Sequence, residues 1–290
     1  MIVKICLLFL GCLAASTSVI FIKTCRVDYV VIAGLRLVIA AVLLIPYLVR
    51  ERRSTPSQFS FPSLIPLILP AGALAVHLIS WTLGAKLTDS ANSTIIVNLL
   101  PLVMPLLLLL ITHERLTRSE SWGTLIGMSG ILILALYDLR LEGDHFQGDL
   151  VCLFSLVFLA LYLTLAKKIM PRYRLWSYLV PVYLLAGLCS LIYAWIGSRS
   201  FHIPDTLSLI SILGLVLIPT IIGHTLLNYS MTRLRGQIVS LANQSQFIFA
   251  GFMGYFFFGE IPQPHFYLAS TLVVAGTLLT ILKSSHTPEP

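Results

Sequence analysis

Two histidines, His77 and His224, stand 147 residues apart in a chain of 290, and each has a partner four residues on: Trp81 and Asn228. Residues four apart share a helix face. The spacing therefore predicts two matching walls that offer imidazole, indole and amide groups. An imidazole titrates near pH 6.5, so the histidines are also candidates for a proton relay. Two amides repeat at nearly the same interval: Asn98 and Gln244 are 146 apart, each deep in an apolar stretch. An unsatisfied amide in lipid costs several kcal/mol, so both are expected to line a wet cavity. These six residues form the candidate substrate-binding set.

The elements that position them follow from composition. The chain is 57% apolar and 11% charged, with a mean hydropathy of +0.92. A soluble domain carries about 25% charge, so a soluble enzyme, a nucleic-acid binder and a disordered chain are excluded. Unbroken apolar runs such as 99–111 exclude the alternation of a transmembrane β-barrel. The fold class is all-α integral membrane. Ten spans are expected, at roughly 4–22, 29–49, 63–85, 91–112, 121–138, 148–166, 176–197, 207–231, 237–259 and 265–282.

Lys and Arg set the orientation. With a cytoplasmic N-terminus, thirteen fall in inside segments, five in outside loops, and Arg36 lies within span two. Both termini are expected in the cytoplasm of a cell whose inner membrane holds the chain. Arg36 is expected to snorkel outward or to pair with a helix-end carbonyl.

The matched histidines belong to a longer repeat. Ser93 meets Ser240 at the same offset, and after a one-residue slip Glu114 meets Glu260 and Gly130 meets Gly276. The organisation read from this is a first five-helix repeat over 1–138, a second over 148–282, and a tail over 283–290. Five is odd, so the second copy inserts upside down. Inverted repeats are a recurring architecture of secondary transporters, with the substrate site near the midplane.

The chain resembles the EamA-type members of the drug/metabolite transporter superfamily. Span four has Pro101, Pro105 and then Glu114; a glycine-rich span comes next with Gly123, Gly127 and Gly130; span nine ends in Gly259-Glu260, with Gly276 beyond. Lys23 and Arg36 are similar to the family's basic residues in spans one and two. Phe247 and Ile248 stand where the first proline of span four would repeat. The resemblance implies a carrier with a central cavity between spans one, three, four, six, eight and nine. It implies structural roles for Arg36, Glu114, Gly130, Glu260 and Gly276.

No phosphate-binding glycine loop, HExxH zinc site or Gly-x-Ser-x-Gly elbow occurs. No metal, cofactor or nucleic-acid partner is expected. The expected partners are a small metabolite and membrane lipid, with the chain acting as monomer or homodimer. The rival readings are a lipid-linked-sugar flippase of the same fold and a membrane enzyme or sensor. For the latter, Asp138, Glu142, Asp144, His145 and Asp149 are the candidate rim cluster. Tyr162 and Tyr255 read first as core packing or interfacial anchors.

Overall fold

The computed structural model describes residues 1–54, 61–88, 90–138, 146–199, 205–258 and 261–284. Gly259, Glu260, Glu142, Asp144, His145 and most of the tail lie outside the described residues. Nine helices among the described residues are long and apolar enough to cross a membrane: α1 (Ile2–Thr24), α2 (Tyr29–Arg53), α3 (Leu64–Leu87), α4 (Asn92–Thr112), α5 (Arg118–Tyr137), α6 (Phe146–Arg172), α7 (Leu175–Ile196), α8 (Thr206–Arg233) and α10 (Pro264–Lys283). The ninth expected span, α9, is two pieces, Gly236–Asn243 and Ser245–Phe258.

The packing obeys the repeat. Pairing α1 with α6, α2 with α7, α3 with α8, α4 with α9 and α5 with α10 maps the main helix contacts onto one another. α3 lies on α6 as α8 lies on α1, and α4 on α6 as α9 on α1; α2–α7, α4–α9 and α5–α10 are their own counterparts. The two five-helix units are thus intertwined around a pseudo-two-fold axis, and each half's core is completed by the other.

The α5–α10 contact shows why the glycines recur. A Cβ on Gly276 would fall 2.5 Å from the Gly123 carbonyl oxygen, and one on Gly130 would fall 2.7 Å from that of Ala269. Backbones approach this closely only where no side chain intervenes. The Gly123/Gly127 face is therefore occupied within the chain. Outward, Leu136, Trp195 and Phe256 are about three-quarters exposed. Such an apolar exterior suits hydrocarbon.

Three of the departures from regular α geometry have a clear local reason. α4 turns at Asn98 and Leu99, just before Pro101, whose ring nitrogen cannot donate to the preceding turn. α9 breaks at the corresponding residue, Gln244, without a proline. There Ser240 and Ser245 hydroxyls donate to the carbonyls of Gln237 and Ala242, competing with the helix ladder. α8 widens to a π-helix over Val216–His224 around Pro219, and the Thr220 hydroxyl bonds the Leu215 carbonyl five residues back.

Candidate functional site

Near the pseudo-axis lies a cavity of about 40 Å³. Its walls come from α1 (Ala15, Ser18), α3 (His77, Trp81), α4 (Val97), α6 (Leu159), α8 (Pro219, His224, Leu227) and α9 (Asn243, Gln246). These are the six helices that the resemblance implies. The room suffices for a few waters and is contracted relative to a metabolite pocket.

His77 and His224 face each other across it edge-on, with ring centroids 6.2 Å apart. Their surroundings differ. The Ser155 hydroxyl donates to the His77 carbonyl (2.9 Å) and sits 2.9 Å from His77 Nδ1, which is 3.0 Å from the Ser155 carbonyl. That network assigns the proton to Nδ1 and leaves Nε2 as an acceptor. His224 Nδ1 is buried with no partner. The repeat explains the difference. Lys23 at the end of α1 donates to the Thr88 carbonyl (2.8 Å), as Lys167 on α6 donates to that of Leu234 (2.8 Å). Lys23 and Lys167 stand 144 residues apart, and at that interval Gly11 falls where α6 has Ser155. Gly11 packs against Gly223, beside His224, and has no hydroxyl to offer.

The other sequence candidates divide. Trp81 lines the cavity beside His77. Asn228 lies just outside it: its amide donates to the Tyr162 hydroxyl (2.7 Å) and to the His224 carbonyl (2.6 Å). Asn98 and Gln244 do not line it. They meet each other at the two helix breaks, where Gln244 Nε2 donates to the freed Asn98 carbonyl (3.3 Å) and Asn98 Nδ2 to that of Thr94 (2.7 Å). Their neighbours Val97, Asn243 and Gln246 face the cavity instead. The repeat interval falls on the breaks themselves, but it carries no information about which side of each break points inward.

Arg36 neither snorkels nor finds a helix-end carbonyl. It is fully buried; Nε donates to the Thr220 hydroxyl (2.9 Å), and both terminal nitrogens lack a partner. The π-helical turn is what brings that hydroxyl to it. Among the described residues the ion pairs sit at helix ends, and none includes Arg36.

At those ends the carboxylates are structural. Glu114 accepts from the Gly236 N–H at the start of α9 (2.9 Å) and pairs with Lys167 (3.1 Å). Fully buried Glu120 caps α5 through the Thr117 N–H (2.7 Å) and holds the Arg235 guanidinium at 2.5 Å. That bond pushes the arginine's pKa up further. The Thr117-x-x-Glu120 capping box is a sequence signal that could have located this residue. Asp149 accepts from the Thr88 hydroxyl and the Asn92 amide. It ties α6 to the α3–α4 turn, which accounts for one member of the rim cluster. On the face carrying Arg174 and Arg233 there is a second hollow of about 500 Å³, walled also by Tyr173 and Tyr229.

Known proteins agree with this layout. The profile of the EamA-like transporter family matches residues 2–136 and again 146–282. A solved crystal structure is similar over 98% of this chain and 99% of its own, with a TM-score of 0.79 at 17% identity, which is a likeness of fold. No curated protein matches in sequence. The double match spans nearly the whole chain, so this multi-pass membrane protein belongs to the EamA-like transporter family, within the drug/metabolite transporter superfamily.

Proposed function

We propose that the chain is a secondary transporter that moves a small organic metabolite across the cytoplasmic membrane by alternating access, with both termini in the cytoplasm. The observation that carries this reading is a cavity on the pseudo-two-fold axis between two intertwined repeats, its largely apolar wall interrupted by Ser18, His77, His224, Asn243 and Gln246. Such an arrangement offers two near-equivalent packings, open to either side. The cavity presents Ser18 Oγ, His224 Nδ1 and Asn243 Nδ2, all without a protein partner, beside the Trp81 ring. Buried polar atoms left unpaired favour a solute that completes their hydrogen bonds. This suits a zwitterionic or amphiphilic solute, such as an amino acid or a nucleoside-like metabolite, better than an inorganic ion.

The test is uptake and efflux in proteoliposomes loaded with a labelled metabolite pool, with and without a proton gradient. Movement only with the gradient assigns proton coupling and points to the histidines. Gradient-independent exchange assigns a facilitator or antiporter. If no soluble metabolite moves, the reading fails in favour of a lipid-linked-sugar flippase, and labelled lipid should then change leaflets.

A further inference from the structure

The repeat offsets place two side-chain pairs in equivalent positions. Ser18 on α1 corresponds to Tyr162 on α6 at the interval of 144, and Trp81 on α3 to Asn228 on α8 at the interval of 147. In this structure the two pairs do different things. Tyr162 and Asn228 are fully buried and joined by a 2.7 Å hydrogen bond, outside the cavity. Ser18 and Trp81 are cavity wall, and the Ser18 hydroxyl has no partner.

Along α8, Asn228 falls between the cavity residue His224 and the hollow residues Thr232 and Arg233; along α6, Tyr162 falls between the cavity residue Leu159 and the hollow residue Met170. They therefore stand between that hollow and the central cavity. Ser18 and Trp81 lie toward the opposite ends, where Lys23 and Lys86 reach carbonyls across the α1–α2 and α3–α4 turns. The chemistry of the pairs also matches: Asn228 gives a donor to the Tyr162 hydroxyl, and the Trp81 indole N–H is a donor for the Ser18 hydroxyl.

Building on the alternating-access reading, we propose that Tyr162–Asn228 is the closing pair on the arginine-rich side and that Ser18–Trp81 is its counterpart on the other side. In one state the α6–α8 bond holds and the α1–α3 pair is apart, as here. In the other state the α6–α8 bond opens and the indole donates to Ser18. Each state keeps one hydrogen bond and forgoes its mirror image. These four side chains are then positioning residues: they decide which side the cavity opens to, whatever solute it carries.

The experiment reads accessibility, independent of the solute. Val97 lines the cavity and belongs to neither pair. Val97→Cys is introduced into the full chain in vesicles, and a membrane-impermeant maleimide is applied from each face. Labelling is read by mass spectrometry on the peptide containing residue 97. Cys25 and Cys152 are the nearest native cysteines in sequence, so that peptide is unambiguous.

Adding Tyr162→Phe keeps the ring and removes the bond. Labelling from the arginine-rich face should rise roughly fivefold, the equivalent of one hydrogen bond of about 1 kcal/mol. Adding Trp81→Phe instead should lower it. Asn228→Leu serves as a second route to the same opening if Tyr162→Phe folds poorly. Labelling that matches the parent from both faces in Tyr162→Phe and Asn228→Leu overturns the proposal. A label that shifts while no metabolite moves in proteoliposomes would sink the transporter reading and leave the closing pair standing.

Discussion

His77 and His224 are equivalent in sequence and unequal in structure, and removing each should show it. His77→Ala takes away the ring nitrogen bonded to the Ser155 carbonyl, while the Ser155 hydroxyl keeps its bond to the backbone carbonyl of residue 77. One buried hydrogen bond is worth about 0.5–1.5 kcal/mol. At about 2–4 °C per kcal/mol for a chain of this size, the melting temperature should fall by roughly 1–6 °C beyond the loss from packing. His224→Ala removes a ring of the same volume whose Nδ1 makes no hydrogen bond. Its loss is packing alone, so it should melt distinctly higher than His77→Ala, yet transport less than the parent. The packing loss is similar in both and cancels in the comparison. Thermal unfolding of the purified chains in detergent measures the difference. His77→Asn is the internal control, because its side-chain nitrogen falls where Nδ1 was and should recover part of the loss. Equal melting temperatures for the two alanine variants, or no recovery with Asn, would refute the reasoning.

Four other substitutions probe the scaffold. Gly276→Val puts a side chain 2.5 Å from the Gly123 carbonyl, forcing α5 and α10 apart; folded yield and melting temperature should both drop, by an overpacking cost of about 1–3 kcal/mol. Glu120→Gln breaks the bond to Arg235, whose side chain is 30% exposed, so the loss should fall below that of a fully buried pair, at about 1–3 kcal/mol in thermal unfolding. Arg36→Met exchanges a buried, half-unpaired cation for an apolar chain of similar length, and the melting temperature should hold or rise; a fall of many degrees would mean that the guanidinium has a compensating partner. Asp205 accepts the Ser208 N–H at the start of α8, and its hydrogen bonds to Ser208 hold its carboxyl below the usual aspartate range. Its contribution is therefore present above about pH 4 and lost as pH falls further, so Asp205→Asn should flatten the acid limb of a stability-versus-pH curve.

Much of the fold is legible in the sequence because membrane insertion imposes a coarse rule. Each span must be about 20 apolar residues, and the Lys and Arg bias checks the count. The repeat is legible because polar residues inside spans are few, so a His–His match at one interval carries weight. What the sequence withholds is orientation about each helix axis. Asn98 and Gln244 are readable as a deep, matched pair, yet at the breaks in α4 and α9 Asn98 turns back on its own helix, Gln244 turns toward the Asn98 carbonyl and α5, and Asn243 and Gln246 are left at the cavity. A local break rotates the helix beyond it, so the four-residue counting that places Trp81 beside His77 fails across such a break. Arg36 eludes the sequence for a similar reason: Pro219 marks the disturbance in α8, but not that the disturbance hands a hydroxyl to the arginine.

The asymmetry between the halves is itself a consequence of one chain carrying both. Two identical subunits related by a true two-fold would present the same residues at both mouths of the cavity, and neither opening would be preferred. Here the duplicated positions have diverged: Gly11 against Ser155, Ser18 against Tyr162, Trp81 against Asn228. Each exchange changes a hydrogen bond on one side only. At the level of the histidines the Ser155 bond stiffens α3 against α6, while α1 meets α8 there through glycines at Gly11 and Gly223; the Thr24–Ser211 hydroxyl bond ties only the far end of that seam. A close glycine contact has little directional bonding to break, whereas a serine network must be broken or carried along intact. Beside the histidines the α1–α8 seam is therefore the softer of the two, and movement between the halves should begin there. Gly11→Ser, which offers α8 the hydroxyl that α3 already has, should slow that movement even where the protein folds normally. Its slowing, measured as the rate at which the thiol of Val97→Cys changes its accessible face, would separate the role of the seam from that of the solute.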